Sequence, residues 1–219
     1  GLGPNSTVLV VGLGNWNATP DALGPKVVSS LLVTRHLHGR VPAELTNGLG
    51  SVAAIAPGVL GLTGIETGEI IRAIVDRIRP DVVVCIDALA ARSVERIGTT
   101  VQIADTGINP GSGVGNRRAA INRETMGMPV IAIGVPTVVH AHTIAHDVID
   151  LLGDKLRGRS VFFDMFTQMS TEEKRNTIRE VLVPSVGDLV VTPKEVDSMI
   201  TDMARVIAGA LNVAVHPRI

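Results

Sequence analysis

Aromatic side chains are nearly missing from this sequence: Phe, Trp and Tyr together make up 2% of 219 residues, with no tyrosine and a single tryptophan. The core must therefore be assembled from Val, Ile, Leu and Ala, because apolar residues still account for 45% of the chain. Such a composition suits parallel strands covered by helices on both faces. Cysteine is scarcer still. A lone Cys85 excludes an internal disulfide framework and a CxxC redox or zinc motif, and it fits a reducing compartment, the cytoplasm being the simplest. Neither sign of charge prevails, since 20 Lys plus Arg against 21 Asp plus Glu leave a net -1. That balance argues against a broad electrostatic surface for nucleic acid or anionic lipid. No apolar run approaches the roughly 18 to 20 residues of a membrane span, and no secretory signal pattern opens the chain. At this length one α/β domain over residues 1–219 is expected, with no structural metal or disulfide needed to hold it.

What the sequence does contain is a recurrence of apolar β-branched segments, each followed by a turn signal and a helical pattern. "TVLVVGLG" reads as a strand buried on both faces, continuous from Val8 to Val11. Thr19 then has the character of an N-cap, with Pro20 at the first helical position and Asp21 in the first turn, of a helix expected to run to about His38. "SVAAIAPG" supplies a second strand. Ile70, Ile71, Ile74, Val75 and Ile78 have helical spacing up to Pro80, and "DVVVCIDALA" follows as the clearest central strand. "TVQIAD" and "PVIAIGVP" are further strands, and a helix is expected from about Thr137 to Leu152. Ser170 with Glu173, and Thr192 with Glu195, have capping-box spacing before two later helices. The fold expected is α/β, a three-layer sandwich with a mostly parallel twisted sheet covered by helices on both faces.

The loop "GLGNWNATPDALGP" invites a nucleotide reading, and two missing elements reject it. Asn17 occupies the third glycine position of G-x-G-x-x-G, and the second strand ends without the acid a ribose needs. The Lys-Ser/Thr pair of a phosphate loop is absent from this stretch and from "GINPGSGVGNRR". What the loop does offer is Asp21. In an open parallel sheet ligands gather beyond the carboxyl ends of the strands, and Asp21 and Asp87 both fall on that edge. If their strands are neighbours, the two carboxyls can share a proton, activate water and protonate a leaving amine. Each acid also has an ordinary role open to it, in a helix's first turn or as a turn former at a strand end.

Other groups compete for chemical roles. His140, His142 and His146 give H-x-H-x-x-x-H, a spacing that can hold zinc where a strand or turn enters a helix, although no H-E-x-x-H base is present. Backbone amides around Gly111, Ser112 and Gly113, beside Arg117 and Arg118, and in the opening loop at Asn15, are candidates for an anion or oxyanion cradle or for plain structural turns. Cys85 shares a strand face with Asp87 and reads as inert core rather than nucleophile. No G-x-S-x-G elbow supports a serine mechanism, Lys26 is expected to point away from Asp21, and His36 reads as a helix-end residue.

Taken in order, "GLGNWNATPDALGP", "VTRHL", "IAPGVLGLTGIET", "VVVCIDALAARS", "DTGINPGSGVGNRR", "IGVPTVV" and "LVVTPKEVD" resemble the spore germination protease family, from about Val8 to Leu211. The resemblance implies an endopeptidase that degrades small acid-soluble spore proteins at germination, acting in the cytoplasm of the spore core. It implies an atypical aspartic peptidase whose two aspartates, in "TPDALGP" and "CIDALAAR", map to Asp21 and Asp87. It further implies a homotetramer made as a zymogen with an N-terminal propeptide. No cofactor, direct nucleic-acid contact or membrane is implied. The chain opens Gly-Leu-Gly, and an N-terminal family portion and the propeptide are expected to lie outside it. A more distant similarity links the pattern to hydrogenase maturation endopeptidases, which keeps open a metal-dependent peptidase using Asp21, Asp87 and a histidine. A catalytically silent spore-protein binding subunit is the non-enzyme alternative. One departure stands out, in that "GVPTVV" continues into His140 where the family pattern leads one to expect an acid.

Overall fold

Successive side chains of a strand point to opposite faces of its sheet, so a strand apolar at every position needs cover on both sides. The computed structural model, which describes residues 6–111, 119–156, 158 and 161–216, provides that cover. In chain order its elements are β1 (Thr7–Gly12), α1 (Leu23–Ser29), α2 (Ala43–Thr46), β2 (Ser51–Ile55), α3 (Leu60–Thr63), α4 (Thr67–Ile78), β3 (Val82–Ala91) and β4 (Gln102–Ala104). They continue with α5 (Arg123–Met126), β5 (Val130–His140), α6 (Ala141–Leu156), α7 (Val161–Gln168), α8 (Thr171–Val186), β6 (Val190–Val191) and α9 (Val196–Val215). The strand order is β2-β1-β3-β5-β4, with β6 also on β5. β1 runs parallel to β2 and β3, while β4 and β6 are antiparallel to β5.

Val8 and Val10 of β1, with Val82, Val84 and Ile86 of β3, pack on Leu23 and Val27 of α1 and on Ile200, Ala204, Ile207 and Ala208 of α9. Leu9, Val11, Val83 and Cys85 face the other way, onto Ile71 and Val75 of α4 and Met126 of α5. Alternate residues of the same strands thus feed two separate cores, which makes the fold the expected three-layer α/β arrangement. By length and composition α9 is apolar enough to span a bilayer, contrary to the expectation that no run approaches that length. Its buried residues recur at the three- and four-residue spacing of a helix covering a sheet.

Two compact units emerge. The first comprises Gly1–Leu89, Val101–Val135 and Glu195–Ile219, and the second Ala90–Thr100 and Pro136–Lys194, the boundary falling within β3 and β5. In the second unit, α6 packs on α7 and α8.

Three helix boundaries differ from expectation, each for a tertiary reason. Thr19 is not the cap of a long helix: Thr19–Asp21 forms a single 3-10 turn capped by Ala18, and α1 stops at Ser29 instead of reaching His38. The following segment is taken up by long-range partners. Leu32 N–H donates to Asn212 Oδ1, Leu32 O accepts from His216 Nε2, and the N–H groups of Thr34 and Arg35 both donate to Val52 O. The helix expected from Thr137 begins at Ala141, because β5 continues to His140 through pairing with β6. At α9 the N-cap is Glu195 without a side-chain cap, and the Thr192 hydroxyl donates to Pro193 O instead of closing a capping box. The Ser170–Glu173 capping box does form at α8.

Candidate active site

The carboxyl end of β1 is shaped by close backbone approach. A Cβ on Gly12 would lie 2.2 Å from Gly24 O, and one on Gly24 would lie 2.3 Å from Leu13 O, so strand exit and helix start touch where only glycines fit. Gly14 has φ +111°, and a Cβ there would meet Asp21 O at 2.0 Å and Asp21 Oδ1 at 3.1 Å. The loop is therefore wrapped around Asp21. The N–H of Asn15 donates to Asp21 Oδ2 at 2.7 Å, so this amide, expected as part of an oxyanion cradle, is instead taken up by the Asp21 carboxyl. The Asn15 side-chain Oδ1 accepts from Asn17 N–H at 2.9 Å and closes the turn. Asp21 N–H donates to Ala18 O, and Ala22 N–H to Thr19 O, which holds the acid's own backbone.

Asp87 does not end its strand as expected, because β3 runs on to Ala91, but it lies just past the last residue paired with β1 and so reaches the same edge. Gly12 pairs with Ile86, and Leu13 N–H donates to Ile86 O at 2.8 Å, so Asp87 comes level with Leu13, one residue from the glycine that touches Asp21. Neighbouring strands lie about 4.8 Å apart, and this adjacency brings both acids to one sheet edge of the first unit. Asp87 is 6% exposed, and its Oδ1 accepts from Ala88 N–H at 3.0 Å. Asp21 is half-buried. One acid is thus open toward solvent and the other enclosed, at the position where ligands bind to open parallel sheets.

The glycine-rich loop lies partly within the described residues. Gly111 lies in a turn at φ +72°, and Gly107 at φ +83° packs so tightly that a Cβ would sit 2.3 Å from Ile121 O. Ser112, Gly113, Arg117 and Arg118 lie outside the described residues.

The three histidines part company. His140 and His142 stack with ring centroids 4.9 Å apart, and each offers a ligand atom that lies, with one from Asp188, within a mutual 4.8 Å. His146 is engaged elsewhere: its Nδ1 is 3.3 Å from Asp147 Oδ1 and its Nε2 3.5 Å from Asp150 Oδ2. Burial, followed by the neighbouring His140 charge, holds the His142 imidazole below its ordinary pKa and so favours the neutral ring. Asp188 was not singled out in the sequence. Only the β5–β6 pairing reveals it, because an acid after a glycine otherwise reads as a turn.

A germination protease family model matches residues 1–161 and 153–219. The chain belongs to the germination protease family. It is 55% identical over 99% of its length to the germination protease of Clostridium acetobutylicum, and 56% identical over 99% to that of Caldanaerobacter subterraneus. It spans 67% and 68% of those two proteins, about two thirds of their length. Among solved structures, a NiFe hydrogenase maturation protease from Thermococcus kodakarensis aligns with TM-score 0.48 at 16% identity, over 96% of this chain and 92% of that one.

Family membership makes this chain a peptidase, and within the germination protease fold two other groups near the aspartates are accounted for structurally. Cys85 is fully buried, and burial together with the Asp87 charge pushes its thiol up to about 12, so it stays protonated and unreactive. Lys26 turns to α9, its Nζ donating to Thr201 Oγ1 at 3.0 Å.

Proposed function

We propose that this chain is the catalytic part of a spore germination endopeptidase that cleaves small acid-soluble spore proteins, with Asp21 and Asp87 as its acid–base pair. The observation that carries the reading is the shared edge: Gly14 is packed against Asp21 and lies one residue from the position level with Asp87. Water held between the two carboxyls loses a proton to the ionised one as it attacks the scissile carbonyl. The protonated partner then delivers its proton to the leaving amine, so the pair ends with one proton and can act again. Asn15 N–H serves as a positioning group, fixing the Asp21 carboxylate by a charge-assisted bond. In the same reading the enzyme works in the spore-core cytoplasm as a homotetramer matured from a zymogen, as the sequence resemblance implies.

The test is incubation of the chain and its Asp21→Asn and Asp87→Asn variants with a small acid-soluble spore protein, read by mass spectrometry. Fragments from the parent chain and at least about 1,000-fold slower cleavage by either folded variant are expected. Full activity in both variants overturns the two-aspartate mechanism, and a stable complex without fragments overturns the peptidase reading of this chain in favour of a binding subunit.

A further inference from the structure

We propose that His140, His142 and Asp188 form a binding site for a divalent transition-metal ion of the zinc class, built wholly within the second unit. The chain topology creates the site. β6 pairs antiparallel with the end of β5, Val139 with Val191 and His140 with Val190, and Ala141 N–H donates to Leu189 O at 2.9 Å. That register delivers Asp188 to the end of β5, where His140 closes the strand and His142 opens α6.

The spacing matches metal geometry. His140 Nδ1 lies 3.2 Å from Asp188 Oδ1. Two ligands bound to one tetrahedral zinc at 2.0–2.1 Å are about 3.3 Å apart, so these two atoms need little movement to share an ion. The third ligand atom, from His142, lies within the same 4.8 Å group and must move by up to about 1.5 Å to reach tetrahedral spacing.

The donor set narrows the ion. Two imidazoles and one carboxylate suit zinc, cobalt or nickel rather than magnesium or calcium, which take oxygen ligands almost exclusively. Side-chain exposure is 15% for His140 and 47% for Asp188, so one side of the cluster is enclosed and the other is open to a fourth ligand from solvent. Three protein ligands with an open position make the site looser than a four-ligand structural zinc site. The positive charges of Arg175 and Arg179, which act on His142, weaken it further.

The test uses the full chain stripped by chelator and titrated with cobalt(II), followed by the visible absorption of tetrahedral cobalt, and with zinc(II) by calorimetry. One ion per chain is expected, with binding at least about 100-fold weaker in His142→Ala and Asp188→Asn and unchanged in His36→Ala. Circular dichroism of the metal-free variants checks folding. Asp188→Asn, a conservative change at a half-exposed side chain, carries the test if His142→Ala does not fold. No saturable uptake, or equal affinity in the parent and the folded variants, overturns the site and leaves a stacked histidine pair hydrogen-bonded to an acid. Because the readout is binding, neither result depends on whether Asp21 and Asp87 cleave protein.

Discussion

In the first unit, Leu9, Val10, Val11, Val83, Cys85 and Ile86 are all exposed by 1% or less, and helices cover both faces of their strands. In the second, Leu151, Val161, Met165 and Val181 remain exposed. There polar contacts take the place of an aliphatic core: Lys174 Nζ bonds to Asp150 Oδ1 at 2.8 Å and stands 5.4 Å from the Phe166 ring centre, and the buried His146 lies between the partly exposed Asp147 and Asp150. The difference teaches where precision resides. An aliphatic core packed on both faces is rigid at the level of single methylene groups, and the two aspartates stand at its edge. Polar contacts with partly exposed partners stabilise little, since ion pairs of that kind contribute about 0–1 kcal/mol each.

This contrast can be broken or sharpened by experiment. The largest effect is expected at Cys85. With its thiol pushed from 9.0 to about 12, the thiolate fraction at neutral pH falls roughly 1,000-fold. A thiol reagent should therefore label the native chain only through opening of the first unit, and prompt labelling in native buffer contradicts the packing described. Next, Leu23→Ala should cost about 2–5 kcal/mol in denaturant unfolding, whereas Val181→Ala on the surface of the second unit should stay within about 0.5 kcal/mol. Equal losses at the two sites erase the comparison.

Glycines give a finer test. Gly14→Ala must both adopt φ +111° and displace Asp21 O from 2.0 Å, and a loss of about 3 kcal/mol is expected, together with lost cleavage. Gly187→Ala, at φ +83° and ψ 174° in a region nearly confined to glycine but with nothing within 4 Å of its Cβ, should cost less, about 1–3 kcal/mol, measurable by thermal melting. The smallest effect belongs to the α8 capping box, where Ser170→Ala should cost about 1 kcal/mol. The Ser170 hydrogen bonds hold the Glu173 carboxyl below its ordinary pKa. A depressed carboxyl stabilises the fold above its unfolded pKa and loses that contribution as pH falls through its folded value. The difference between Ser170→Ala and the parent chain should accordingly shrink under acid, and a gap constant with pH counts against the capping box as its source.

Legibility in the sequence followed the range of the forces involved. β1 and β3 could be read because a strand buried on both faces is apolar at consecutive positions, and α4 because its isoleucines repeat with the helical period. The end of α1 could not be read, because Asn212 and His216, about 180 positions away, draw Leu32 out of a helical path. Asp188 escaped notice for the same reason: nothing adjacent to it marks a ligand, and its meaning comes from the β6 register on β5.

For the aspartates the division is equally clear. By itself the sequence determined that Asp21 follows a glycine-rich strand exit, that Asp87 follows the apolar run Val82–Ile86, and that no aromatic, disulfide or nucleotide-loop chemistry competes with them. Only the tertiary structure decided that β1 and β3 are neighbours, with Gly12 level with Ile86, and that Gly14 and the Asn15 amide close around Asp21. Strand neighbours are chosen by the packing of whole faces between residues some seventy positions apart, and no local pattern of side chains encodes that choice.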